Sequence, residues 1–249
     1  MASLARADLE SLLRARRLDR TLTTSLPPLD PRDEAAVAPT GIGSLDARLG
    51  GGFPRGQLSE LVGPRSSGRT SLLLQMLAAS TARGELVALV DALDVFDAGS
   101  ASAAGIDLAQ LLWIRGYTVS NPGLCRDMNA RALDQAVKAL TLVLSAGNFG
   151  LVALDVAEAP PQALRRLPFT TWMRLQRMVE GTQTACVLIG SQPMARSSAG
   201  LTLELGLRDS GLGIRFRERL FDGLDVQARI VRARAREQEE ARVALSTTA

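Results

Sequence analysis

The residues from Gly63 to Ser71 have the spacing of a phosphate-binding loop. They read Gly-Pro-Arg-Ser-Ser-Gly-Arg-Thr-Ser, which fits the pattern G-x-x-x-x-G-K-[ST] except at the lysine. The two glycines would let backbone N–H groups face a phosphate, and a helix predicted from Thr70 would point its positive end at it. We therefore expect a nucleotide-phosphate site made of Gly63, Ser66, Ser67, Gly68, Arg69, Thr70 and Ser71.

Arg69 stands where the pattern has lysine. A lysine ammonium on its flexible stem reaches between the terminal phosphates, and a planar guanidinium does not occupy the same point. Three interpretations stay open: weakened nucleotide binding, binding with slow hydrolysis, or a loop kept only as scaffold. We favour the first and the third together.

Asp155 ends the apolar segment Gly150–Leu154 in the manner of a Walker B acid. An aspartate there can hold Mg²⁺ through water. Alone the signal is weak, because an aspartate after an apolar strand often belongs to a turn or a helix cap. Its order and spacing relative to Gly63 strengthen it. If nucleotide binds, the candidate magnesium ligands are Thr70 and Asp155.

The composition excludes several other chemistries. The chain has 249 residues and no histidine, which rules out a Ser-His-Asp triad, an H-E-x-x-H zinc site and a histidine general base. Cys125 and Cys186 lie far apart, so each is interpreted as a small buried apolar residue of a reduced cytoplasmic protein. No targeting or membrane-spanning segment is predicted. The formal charge of +3 does not by itself indicate a nucleic-acid-binding protein.

Alternating strands and helices must position these residues. Short apolar strands separated by helices predict an α/β fold with a mainly parallel twisted sheet flanked by helices on both faces. Three final strands predict antiparallel edge strands at the C-terminal end of the sheet. The predicted organisation is an amphipathic helix at 1–20, a linker at 21–39, a core at 40–236 and a charged tail at 237–249.

The individual elements follow from hydrophobic periodicity. The predicted strands are Leu58–Val62, Leu86–Val90, Leu111–Ile114, Leu151–Leu154, Ala185–Ile189, Leu201–Leu207, Gly213–Arg217 and Asp225–Val231. The predicted helices are Thr70–Ala82, Val95–Ala104, Ala130–Leu144 and Thr170–Val179. The run Arg232–Arg242 alternates Arg with Glu at helical spacing and is interpreted as a solvated helix.

Basic residues cluster late in the chain. Between Pro161 and Gly200 there are five arginines and one acid, Glu180. A solvated helix explains any single arginine, but the cluster also suits a phosphate or an acidic partner. Trp172 would be a core residue or, if exposed, a platform for a base or an interface anchor. The candidate DNA or partner residues here are Arg165, Arg166, Trp172, Arg174, Arg177 and Arg196.

Taken together, these segments resemble the RecA recombinase core. The resemblance rests on Thr40–Asp46, Leu49–Gly56, the phosphate loop, Val90–Ala92, Asp155, Ser191–Gln192 and Ile230–Arg234. It implies a RecA-like P-loop core that binds ATP with Mg²⁺. It also implies that Arg232 and Arg234 match residues that reach the nucleotide of a neighbouring subunit in RecA filaments.

Two departures from RecA concern its activity. Leu93 stands where RecA has the glutamate that positions the attacking water, and leucine cannot orient or activate water. The segments matching the RecA DNA-binding loops, Ala157–Leu167 and Pro193–Gly200, are short. We assign no catalytic residue and expect weak or absent ATP binding, without efficient hydrolysis.

The remaining pattern is similar to the ImuA family of RecA-like accessory proteins. The similarity rests on Leu164–Leu167, Trp172–Arg177 and Ser197–Leu205. It implies a non-recombinogenic accessory of SOS translesion synthesis whose partners are RecA, an ImuB-like Y-family polymerase homologue and an error-prone C-family polymerase. Direct DNA binding would be weak, and the location cytoplasmic and nucleoid-associated. The alternative is an ATPase or switch of the RecA/KaiC type that binds DNA directly.

Overall fold

An eight-stranded sheet forms the centre of the structure, a computed structural model that describes residues 36–116, 126–195, 200–207, 226–233 and 243–245. The strands are β1 Val37–Ala38, β2 Phe53–Pro54, β3 Gln57–Val62, β4 Val87–Asp91, β5 Leu111–Arg115, β6 Leu151–Asp155, β7 Ala185–Gly190, β8 Leu201–Leu207, β9 Val226–Ala233 and β10 Val243–Leu245. The helices are α1 Gly43–Leu49, α2 Arg69–Ala82, α3 Ala98–Ala103, α4 Arg126–Ala146, α5 Pro161–Leu164 and α6 Phe169–Val179, with a 3₁₀ turn at Leu108–Gln110.

The strand order across the sheet is β10-β9-β8-β3-β7-β6-β4-β5. Strands β8, β3, β7, β6, β4 and β5 run parallel, whereas β9 is antiparallel to β8 and β10 is antiparallel to β9. Strands β1 and β2 form a separate antiparallel pair. Parallel neighbours require crossover connections, and helices supply those from β3 to β4, β4 to β5, β5 to β6 and β6 to β7.

Helices cover both faces of the sheet because the central strands are apolar on both sides. Leu89 and Val90 are consecutive residues of β4, and they pack into different apolar clusters. The first cluster contains buried residues of α1 and α2, such as Leu45 and Leu73. The second contains buried residues of α4 and α6, such as Leu140 and Leu175. The sheet is therefore sandwiched between two helical layers.

The predicted fold class is confirmed: a mainly parallel sheet with flanking helices and antiparallel strands at its C-terminal end. The predicted strands in the core match the observed strands to within one residue at most ends. The first of the three late strands, β8, pairs parallel to β3, so antiparallel pairing starts only at β9. Helix α4 begins at Arg126, four residues before the predicted start.

The C-terminal part differs most from expectation. Residues 232–233, assigned to a solvated helix, continue strand β9, and β10 lies inside the segment interpreted as a charged tail. A strand as short as β10 has too few residues to show a hydrophobic period, and its pairing is decided by the neighbouring strand. The predicted helix at 1–20, residues 21–35 of the linker predicted at 21–39, and the predicted strand Gly213–Arg217 lie outside the described residues. Strand β1 lies within the described end of that linker.

Arg55 ties several segments together at the amino ends of the strands. Its guanidinium donates hydrogen bonds to the carbonyl oxygens of Val37 at 3.0 Å and of Gly150 and Gln183 at 2.9 Å. It also forms an ion pair with Glu85 at 2.6 Å. These contacts fix the edge of the sheet opposite to the phosphate loop.

Within the described ranges, no helix combines the length and apolar character needed to cross a lipid bilayer. Cys186 is fully buried on β7, as interpreted from the sequence. Cys125 lies outside the described residues.

Candidate functional site

The carboxyl ends of β3, β7, β6 and β4 meet at one edge of the sheet. Val62 pairs with Gly190, and Asp155 pairs with both Ile189 and Asp91. The loop that follows Val62 and the side chain of Asp155 therefore lie at the same level, separated by one strand. Ligand sites of open parallel sheets form at this edge.

The loop after β3 has backbone conformations that bring its main chain close to neighbouring groups and lead it into helix α2. Gly63 has no room for a side chain, because a Cβ there would collide with the carbonyl oxygen of Leu205 and crowd the Ser67 hydroxyl. Gly68 has φ 89° and Ser66 has φ 61°, both in the left-handed region that favours glycine. Two left-handed residues within three positions turn the chain into the first turn of α2.

Polar groups at the start of α2 are left without partners inside the described part of the chain. The helix starts at Arg69 with no side-chain cap, and its first bond runs from the Leu72 N–H to the Gly68 carbonyl at 2.9 Å. The N–H groups of the first turn lack intrahelical acceptors. The Ser67 hydroxyl and Nη1 of Arg69 are buried with no hydrogen-bond partner there. Oxygens of a phosphate group would satisfy these donors, so the residues present fit a phosphate.

Arg69 is buried, with 6% of its side chain exposed, and is turned toward acidic residues. Its Nη2 lies 4.0 Å from Oε1 of Glu158. Arg65, at the tip of the loop, approaches Oε2 of the same carboxylate at 3.0 Å. Burial lowers the pKa of Arg69, and the nearby charges of Asp155 and Glu158 offset only part of this effect. The guanidinium is thus held between the loop and the acids that follow β6.

Asp155 is the acid at the end of β6. Loss of hydration raises its pKa to about 6, and the charge of Asp91 adds to the effect. A hydrogen bond from the Ala157 N–H at 2.9 Å and the charge of Arg69 oppose it. A bound cation would favour the ionised form.

The magnesium ligands available at this edge are few. Thr70 is the second residue of α2 and is exposed. Across the described ranges there is no cluster of three or more His, Cys, Asp or Glu side chains placed to hold a metal. Thr70 and Asp155 stay the candidate ligands at this edge, and Mg²⁺ usually takes only one or two protein ligands and completes its coordination with water and phosphate oxygens.

Leu93 is buried and packs in the second apolar cluster. The turn that carries it is fixed by Asp91, whose carboxylate accepts hydrogen bonds from the N–H groups of Val95 at 3.0 Å and Phe96 at 2.8 Å. At Leu93, which we interpreted from the sequence as matching the water-positioning glutamate of RecA, the structure therefore presents an alkyl group packed into the core.

A groove lies between the segments that follow β6 and β7. It has a volume of about 520 Å³ and is lined by residues 161, 164–169, 172 and 192–194. Arg165 and Arg166 are exposed at it, and Nη2 of Arg165 lies 3.4 Å from Oε1 of Gln192. The groove brings together two of the predicted basic residues with an apolar floor.

Trp172 does not belong to an exposed basic cluster. It is 3% exposed on the face of α6 that packs against the sheet, and its neighbour Gln176 accepts a hydrogen bond from the Leu58 N–H at 2.9 Å. Arg174 and Arg177 are exposed on the other side of the helix. Burial contradicts the candidate role of Trp172 as an exposed platform. Arg174 and Arg177 follow it by two and five positions, so they lie on a different face of the helix.

The remaining predicted residues are dispersed. Thr70 and Ser71 are exposed in the first turn of α2. Arg232 lies on β9 opposite Thr202 of β8, two strands from β3. Arg196 and Arg234 lie outside the described residues. The structure thus groups the loop residues with Asp155, and it places Arg165 and Arg166 at a separate groove.

Two acids that organise this edge were missed from the sequence. Glu158 contacts both loop arginines, and Glu60 is a buried residue of β3 that holds the segment after β7. For Glu60 the only signal was an acid inside an apolar strand, which indicates a buried and hydrogen-bonded charge.

The fold and this edge define a class of α/β protein. Its phosphate loop connects strand β3 to helix α2, and its acid, Asp155, ends strand β6, which is separated from β3 by strand β7. The model of the RecA N-terminal domain matches residues 25–159, more than half of the chain. The chain therefore belongs to the RecA family.

Several curated relatives match the same region. Protein RecA of Clavibacter michiganensis is 38% identical over 136 residues, which are 54% of this chain and 34% of that protein. Protein RecA of Gluconobacter oxydans is 39% identical over 134 residues, or 53% of this chain and 35% of that protein. The match to protein RecA of Prochlorococcus marinus is 40% over 100 residues, 40% of this chain and 24% of that protein. The chain thus matches about a third or less of the length of these relatives.

Proposed function

We propose that this protein is a non-recombinogenic RecA-like accessory of the DNA-damage response. It binds RecA or the polymerase partners of a mutasome and limits or redirects the growth of RecA filaments. The observation that carries the proposal is the pair of substitutions at the nucleotide edge. Arg69 is turned toward Glu158, and Leu93 is packed in the core.

Both substitutions remove steps that phosphoryl transfer needs. A buried guanidinium drawn toward carboxylates is not free to follow charge that develops on a terminal phosphate. An alkyl group cannot hold the attacking water. If ATP and Mg²⁺ bind, Gly63, Ser67 and Gly68 would hold the phosphates, and Thr70 and Asp155 the ion. In that state the nucleotide would act as a structural ligand.

The loop after β6 supports the non-recombinogenic part of the proposal. Residues 157–167 fold into a turn and the short helix α5, and Leu164 of that helix is buried in the second apolar cluster. The segment after β7 is fixed at Met194 and Ala195 by hydrogen bonds to Glu60. Segments held to the body in this way leave little chain with which to wrap a DNA strand.

The groove beside α5 is the face we assign to partners. Its arginines, Arg165 and Arg166, suit an acidic segment of a protein partner, and its apolar floor suits a large apolar side chain. We propose RecA as the first partner, and an ImuB-like Y-family homologue and an error-prone C-family polymerase as further ones. The same arginines support weak DNA binding in a cytoplasmic, nucleoid-associated protein.

The direct experiment mixes this protein with RecA on single-stranded DNA. We expect RecA ATP hydrolysis and strand exchange to fall as the protein approaches stoichiometric excess. The double variant Arg165→Glu, Arg166→Glu should weaken the effect, whereas Arg131→Glu, a matched reversal at an exposed site on α4, should not. No change in either RecA activity at excess would contradict the proposal.

A nucleotide-dependent switch is the second candidate, favoured by the buried donors of Ser67 and Arg69 that have no partner in the described ranges. Such a switch binds ATP and DNA directly. It predicts a measurable affinity for a fluorescent ATP analogue and turnover that disappears in Arg69→Ala. Saturable turnover of this kind would favour the switch over the accessory, and its absence would favour the accessory.

A further inference from the structure

We propose that Glu158 is an internal anion that closes the phosphate loop, so that a phosphate group must displace this carboxylate in order to bind. The site would take a polyphosphate, free or as part of a nucleotide. The inference concerns the loop itself and does not depend on which partner the protein binds.

The geometry places one carboxylate between the two cations of the loop. Oε2 of Glu158 lies 3.0 Å from Nη2 of Arg65, and Oε1 lies 4.0 Å from Nη2 of Arg69. Arg65 and Arg69 flank the three loop residues between them. Each oxygen therefore faces a different guanidinium, in the way that two oxygens of a phosphate would.

The turn after β6 directs Glu158 toward the loop. Asp155 accepts a hydrogen bond from the Ala157 N–H at 2.9 Å, and the Ala159 N–H donates to the Val156 carbonyl at 3.0 Å. These two bonds fix the backbone on both sides of Glu158. Because β6 and β3 end at the same edge of the sheet, this turn faces the loop.

The charges at the loop are balanced without any ligand. Two guanidinium groups, Arg65 and Arg69, face two carboxyl groups, Asp155 and Glu158. An open phosphate site instead presents excess positive charge to an incoming anion. A polyphosphate must overcome both the repulsion of these carboxylates and the loss of the existing ion pairs.

The loop retains groups that the carboxylate does not satisfy. The Ser67 side chain is 1% exposed and Arg69 is 6% exposed, yet the Ser67 hydroxyl and Nη1 of Arg69 have no hydrogen-bond partner in the described part of the chain. Unpaired buried donors favour any ligand that supplies acceptors. The ion pair with Arg65 is solvent-exposed and therefore weak. Glu158 is thus a removable occupant.

The test compares Glu158→Gln with the unaltered protein and with Glu180→Gln, the same change at an exposed acid at the C-terminal end of α6. The probes are inorganic tripolyphosphate and ATP, each with Mg²⁺, measured by titration calorimetry. We expect Glu158→Gln to bind both probes about three- to tenfold more tightly. This gain corresponds to the combined strength of the exposed ion pair with Arg65 and the partly buried one with Arg69. Glu180→Gln should match the unaltered protein.

A second variant, Glu158→Asp, retains the charge but shortens the side chain. Its affinity for the probes should lie between those of Glu158→Gln and the unaltered protein. A gain for ATP and tripolyphosphate alike identifies the phosphates as the competing groups. Equal or weaker binding by Glu158→Gln, or no binding by any variant, overturns the proposal. So does ATP turnover that is lost in Glu158→Gln at unchanged affinity, because Glu158 would then act on the attacking water. Unaltered effects on RecA in Glu158→Gln leave this inference intact.

Discussion

The carboxylate of Glu60 accepts a hydrogen bond from the backbone N–H of Met194 at 2.6 Å, inside the protein. It also accepts bonds from the Ala195 N–H at 2.7 Å and from the Thr202 hydroxyl at 2.9 Å. Glu60 lies on the strand that leads into the phosphate loop, so one side chain fixes that strand to the segment after β7. Three donors compensate for burying the charge.

Replacing this carboxylate should cost stability. Glu60→Gln can keep its amide oxygen toward both N–H donors but loses the charge and puts an NH₂ group where an oxygen accepts from the Thr202 hydroxyl, so we expect the free energy of unfolding to fall by about 1–3 kcal/mol. Urea unfolding followed by circular dichroism measures the change. Glu180→Gln is the matched control and should stay within about 0.5 kcal/mol of the unaltered protein. Equal stability of the two variants would show that the Glu60 bonds contribute little.

Arg55 should be a second point of high sensitivity. Arg55→Met leaves the carbonyl groups of Gly150 and Gln183 and the carboxylate of Glu85 without this donor. We expect a loss of about 2–4 kcal/mol in the free energy of unfolding. Arg83→Met removes a more exposed arginine from the same Glu85 and should cost less than about 1 kcal/mol. A similar loss in both variants would assign the effect to Glu85 alone.

The raised pKa of Asp155 predicts a pH-dependent stability. Because this pKa rises from 3.8 to about 6 on folding, the folded protein retains a proton between about pH 4 and pH 6 that the unfolded chain releases. The contribution of Asp155 therefore favours unfolding increasingly as pH rises through this window, and the penalty is complete above about pH 6. Asp155→Asn, which cannot ionise, should be more stable by about 3 kcal/mol at pH 8 and by about half of that at pH 5.

Denaturation in buffers free of divalent cations measures this effect, since a bound cation would reverse it. Asp134→Asn is the control, because Asp134 is exposed and forms an ion pair with Lys138 across one helical turn. A constant difference between Asp155→Asn and the unaltered protein from pH 5 to pH 8 would contradict the prediction.

Cys186 should be chemically inert in the folded protein. Burial raises the pKa of its thiol to about 12, so almost no thiolate is present at pH 8. In a Cys125→Ser background, a disulfide reagent at pH 8 should leave Cys186 unmodified for as long as the protein is folded. In urea it should react at once. Rapid labelling without denaturant would show that β7 opens locally.

Much of the fold could be predicted from local pattern. The short apolar strands alternate with helices of amphipathic spacing, and the boundaries of β3, α2, β6 and β7 were predicted to within one residue. The pattern worked because central parallel strands are apolar on both faces and because the phosphate loop needs its glycines in fixed places. Strand β10 was missed because three residues carry no measurable period.

The sequence by itself determined the class of protein, and it predicted the position of the phosphate loop and the two residues, Arg69 and Leu93, that we interpret as departures from a hydrolytic site. These depend on the types and spacing of neighbouring residues. Only the tertiary structure decided that Glu158 meets the loop arginines, that Trp172 is buried, and that Glu60 holds the segment after β7. Those contacts join residues brought together by strand order and helix packing, and a charged or aromatic side chain shows its partner only once the chain has folded around it.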